Sequence, residues 1–87
     1  MDTAINHVNP QKIIAFMERK CPGIMEQVSL LKITQDQEDD ACLIFDFRYK
    51  EKQRGGLDYI TAVIILSPDS WSPIDLPIFE QMTVPSN

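Results

Sequence analysis

The sequence predicts an α+β fold: an N-terminal helix packed on a three-stranded antiparallel sheet, with a Pro-rich C-terminal segment able to form a short helix. Three observations lead there. Asn9-Pro10 opens a stretch in which Ile13, Ile14, Phe16 and Met17 recur at helical spacing. Ala41 to Lys50 alternates, setting Leu43, Phe45, Phe47 and Tyr49 on one side of an extended chain. Tyr59 to Leu66 is the longest apolar run, and its β-branched residues suit a pleated surface better than a helix.

The helix is expected over residues 10–20. Asn9 is a favoured N-cap, and Pro10 costs nothing at the first helical position, where an N–H would have no intrahelical partner. Arg19 and Lys20 complement the negative end of the helix dipole, and Cys21-Pro22-Gly23 ends the element. Residues 24–34 satisfy two periodicities. Ile24, Val28 and Leu31 make a helical stripe, whereas Val28, Leu30 and Lys32 alternate with Ser29, Leu31 and Ile33. The length and residue types of 28–34 favour a strand.

Gln35-Asp36-Gln37-Glu38-Asp39-Asp40 reads as a loop, and Glu51 to Gly56 as a turn whose paired glycines supply positive φ. The third strand, closed by Ser67-Pro68, completes a meander over 28–66, because short connections join antiparallel neighbours. Residues 67–87 carry Pro68, Pro73, Pro77 and Pro85 yet are too apolar for a free linker, so they form a docking tail. Within it Asp75 is placed to cap a short helix, with Pro77 in the first turn and Ile78, Phe79 and Met82 on one side.

A chain of 87 residues is expected to form one domain, 1–87, with a modest core. The formal net charge of −5 disfavours nucleic acid and anionic membranes, and either favours a basic protein partner or simply keeps the protein soluble. No run approaches the ~20 apolar residues of a membrane-spanning helix. Two cysteines without a C-x-x-C pairing, and a start without basic or apolar signal segments, predict a reduced, cytoplasmic protein.

Catalytic and ligand signatures are thin. His7 is the only histidine, which excludes sites needing two, and its place ahead of the helix predicts a fraying end. No G-x-S-x-G nucleophile motif occurs. Asp36, Glu38, Asp39 and Asp40 are the best oxygen donors for a hard cation, but the run lacks the glycine and the spacing of an EF-hand. A solvated loop is expected there, with no metal and no cofactor. Arg48, Lys50, Lys52 and Arg54 with Gly55-Gly56 form the basic cluster, without the G-x-x-x-x-G-K-[ST] of a phosphate loop. The order helix, three strands, helix is similar to that of double-stranded-RNA-binding domains. The basic second helix such domains use has no counterpart in this acidic tail, so nucleic acid is not the expected partner.

The partner-binding candidates are Trp71, Ile74, Ile78 and Phe79, with Asp36, Glu38, Asp39 and Asp40 as a charged rim. The third strand has two apolar faces: Tyr59, Thr61, Val63 and Ile65 on one, Ile60, Ala62, Ile64 and Leu66 on the other. One helix covers one face; the tail, a second copy or another protein must cover the other. The expected function is that of a non-enzymatic protein-binding module, an inhibitor or regulator in a cellular or phage setting. It would act by surface occlusion and pair with a second copy of itself. The alternatives are an accessory subunit of a larger complex, or an enzyme using a carboxylate such as Asp46 or Asp58 with Cys42 at an oligomer interface.

Overall fold

A computed structural model describes residues 2–83; the expectations for Pro85 and for the side chain of Met82 lie outside the described residues. Helix α1 runs Pro10–Lys20 with the predicted start: Asn9 accepts a hydrogen bond from the Gln11 N–H at 3.0 Å, and Pro10 takes the first position. Ile13 and Met17, one turn apart, are its buried residues. The Cys21 N–H closes the helix on the Met17 carbonyl at 2.7 Å, and Pro22 opens a four-residue turn, α2, Pro22–Met25. Ahead of α1, a 3-10 turn spans Ala4–Asn6. This end does not fray as expected. Ala4 is fully buried, and its N–H donates to the Asp40 carbonyl at 2.8 Å.

Four strands follow, not three: β1 (Val28–Gln35), β2 (Cys42–Tyr49), β3 (Leu57–Ile65) and β4 (Ile78–Thr83). They make one antiparallel sheet in sequence order, so the expected three-stranded meander gains a fourth member. β4 stands where the short tail helix was expected. Asp75 accepts a hydrogen bond from the Leu76 N–H at 2.8 Å, but no helix grows from it. The reason is the edge of β3: a buried strand with one side unpaired would leave a row of N–H and C=O groups without partners, and residues 78–83 supply them.

Strand β1 contains the sheet's decisive irregularity. Leu30 pairs with Phe47, yet the next registered pair is Lys32 with Asp46, so Leu31 is an extra residue in a bulge. The expected plain alternation grouped Lys32 with Val28 and Leu30. The bulge re-phases the strand, turning Lys32 away from the core and bringing Ile33 onto the core side opposite Phe45. Between β2 and β3 the chain turns through Gly55 (φ 77°) and Gly56 (φ 74°), the positive angles expected of the pair.

The hydrophobic core cluster lies on one side of the sheet; on the other, Cys42 and Thr61 are the buried strand residues. Leu43, Phe45 and Phe47 from β2, with Ile60, Ala62, Ile64 and Leu66 from β3 and its end, meet Ala4, Ile13 and Met17. Phe45 and Phe47 stack at 6.4 Å between ring centroids. The molecule measures 40 × 30 × 17 Å. Its shortest dimension is the thickness of one helix about 10 Å across laid on one sheet, with no third layer.

Candidate protein-binding surface

The second face of the sheet is built by register. Thr34, Ile44, Val63 and Ile78 stand side by side on the four successive strands. On one side of this row lie Cys42 and Ile65, a registered pair. Leu66 bridges to Pro73 and the Ile74 N–H donates to the Ile65 carbonyl at 3.1 Å, which sets Ile74 opposite Ile65. Ile65, Ile74 and Ile78 are 37%, 62% and 54% exposed, with Ile44 and Val63 half-buried between them. The face is therefore an aliphatic patch open to solvent. Tail residues join its margin rather than lying across it.

On the other side of the aliphatic row comes a polar one: Lys32, Asp46, Thr61 and Glu80, again one per strand. The Thr61 hydroxyl donates to Asp46 Oδ1 at 2.9 Å, and Lys32 Nζ approaches Asp46 Oδ2 at 4.0 Å. Beyond it Arg48 lies over the Tyr59 ring, 5.9 Å from its centroid. The charged residues registered on this face, Lys32 and Arg48 against Asp46 and Glu80, balance, whereas the whole chain carries −5. The excess negative charge sits elsewhere.

Much of it is in the loop joining β1 to β2, at the aliphatic end of the face. Asp36 Oδ1 accepts from the N–H groups of Glu38 (2.8 Å) and Asp39 (2.9 Å), and Asp39 Oδ1 accepts from the Ala41 N–H at 2.9 Å. These carboxylates shape their own loop. Gln35 pins it from below: its Nε2 donates to the carbonyls of Asp39 and Cys42 at 3.0 and 3.1 Å, while its Oε1 accepts from the Ile5 N–H at 3.0 Å. Among the described residues no three His, Cys, Asp or Glu side chains gather as a metal site. Burial first, then the charges of Asp36 and Asp39, push the Cys42 thiol above its ordinary value.

The residues singled out in the sequence divide between two sides. Trp71 and Phe79 pack against the core cluster, whereas Ile74 and Ile78 are exposed on the open face. Trp71 stacks on His7 with centroids 5.0 Å apart and planes within 1°, and it holds a positive φ of 55°. His7 is also 3.4 Å from Asp2. The acidic rim residues Asp36, Glu38, Asp39 and Asp40 remain together in one loop. Cys42, Asp46 and Asp58 do not converge: the first two stand two rows apart on β2, and Asp58 lies beside the irregularity at the start of β3. Sequence reasoning missed Ile44, Val63, Lys32 and Glu80 as a common surface. No helix among the described residues is long and apolar enough to cross a membrane. Compared with known protein families, with curated proteins and with solved structures, the chain matches none.

Proposed function

We propose that this chain is a non-enzymatic protein-binding module that acts by laying the open face of its sheet on another protein and occluding the surface it covers. One observation carries the reading: Ile44, Val63, Ile65, Ile74 and Ile78 stand together on one face, the last three exposed and the first two half-buried between them. Such a patch keeps an unfavourable contact with water of about 25 cal/mol for each Å² until a partner removes it. The acidic loop at its end favours a target with basic residues beside the contact. An inhibitory or regulatory role follows from this way of binding, since the module contributes a surface and no reacting group. The two free thiols, Cys21 and Cys42, fit a reducing cytoplasm.

The test is capture from cells of the source organism with the wild type and with Val63→Glu, each shown to be folded by circular dichroism. The bound partner should slow amide exchange across β2–β4, and Val63→Glu should weaken capture at least about tenfold, since a carboxylate would be buried against apolar contacts. Equal capture by the two proteins overturns the reading.

A further inference from the structure

We infer that the open face is matched to a second copy of itself, and that the chain forms a two-fold symmetric dimer, sheet on sheet, about an axis parallel to the strands. The inference rests on the proposed use of this face for docking, and adds that a second copy covers the face until a target protein displaces it.

The strand order supplies the argument. In a sheet ordered β1-β2-β3-β4, an axis running along the strands between β2 and β3 lays β1 over the partner's β4 and β2 over the partner's β3. Each row then meets the same row reversed. In the aliphatic row, Ile44 meets Val63 and Thr34 meets Ile78. In the polar row, Asp46 meets Thr61, and Lys32 at one edge meets Glu80 at the other. Within one chain Lys32 and Glu80 are separated by the two central strands and cannot pair. Across the axis they meet twice. Lys32 keeps most of its surface in water (71% exposed), and among the described residues Glu80 has no ion-pair partner. Registered rows whose charges balance suit self-association of a chain whose net charge repels its own kind.

The alternatives fare worse. An axis across the strands lays each strand on its own copy with the rows reversed, pressing Asp46 onto Ile44 and Glu80 onto Ile78 and burying carboxylates without partners. Edge-to-edge pairing through β1 meets the Leu31 bulge and the Lys32 charge, devices that blunt a sheet edge. The chosen axis does bring the two acidic loops to the same end. Their side chains are mostly exposed, where salt screens charges beyond about 8 Å, and two carboxylates are already engaged with their own amides. Area is modest: four strands about 4.8 Å apart and six to nine residues long give a face on the order of 500 Å² per partner, at the low end for a specific interface. Two such sheets would pack about 10 Å apart with strands crossing near 30°.

The test is sedimentation of the purified chain with Lys32→Glu and Glu80→Lys. The wild type should be a dimer. Each single variant sets like charges opposite one another twice, and should dissociate at concentrations at least about tenfold higher than the wild type. An equimolar mixture of the two variants should regain wild-type association, because positions 32 and 80 then face each other with opposite charges at both places where they meet. The double variant should do so alone. A monomeric wild type at about millimolar concentration, a mixture no tighter than its components, or a Val63→Glu protein that still dimerises each overturns the inference. A monomer whose capture of another protein is abolished by Val63→Glu overturns the dimer and leaves the proposed function standing. A dimer that behaves as described, beside capture indifferent to Val63→Glu, removes the proposed function and keeps the dimer.

Discussion

Cys42 sits where the acidic loop meets the open face, and its thiol is held in the protonated form by burial and by the carboxylates of Asp36 and Asp39. The folded chain therefore keeps a proton at alkaline pH values where the unfolded chain, with a thiol near its reference value of about 8.5, has lost it. Raising the pH then favours unfolding. Cys42 costs no stability below pH ~8.5, and its contribution falls as the pH rises from there towards the folded value. Denaturation midpoints of the wild type and Cys42→Ala should run parallel below that pH and converge above it; parallel curves throughout would show that the thiol does not titrate. Trp71 illustrates what a residue-level reading of sequence can reach. A large apolar ring between prolines is legible as a docked group, and Trp71 is docked. That it docks on His7 of its own chain, in a backbone conformation bulky residues rarely adopt, depends on a contact between distant segments that no local pattern encodes. The stack and its burial offset a strain on the order of 1 kcal/mol.

Among the elements, α1 and the first three strands were legible because each carries its own signal: a cap and a period, or alternation, or a β-branched run. β4 was not, and the cause is specific. Ile78, Phe79 and Met82 fit a helical face as well as a strand, and Pro77 suits a first helical turn. The choice was made by the unpaired edge of β3, a non-local partner. The polar row was hidden for a similar reason, since only the Leu31 bulge brings Lys32 level with Asp46. The turn before β3 shows local chemistry acting alone. A Cβ added at Gly55 would touch nothing within 4 Å, so replacement tests the backbone rather than packing. Gly55→Ala should cost about 1 kcal/mol, read as a lower urea midpoint with an unchanged slope. A loss several times larger would mean that the turn makes contacts beyond its own dihedral angles.

At the scale of the whole molecule, two layers 17 Å thick leave a sheet with one wet side. If two copies cover one another, the melting temperature should rise on the order of 5 °C over a hundredfold increase in protein concentration. It should be flat for Val63→Glu; a flat wild type would mean that the side remains wet. The sequential strand order also governs time. The connection before β4, residues 66–77, is about twice as long as the one before β2, residues 36–41. Closing it costs only about 0.6 kcal/mol more entropy, yet it is synthesised after the other two. Ile78 and Glu80 reach the sheet only when this longer connection closes, and until then the open face lacks one margin. On either proposed use of the face, that margin must be in place before the face can be filled.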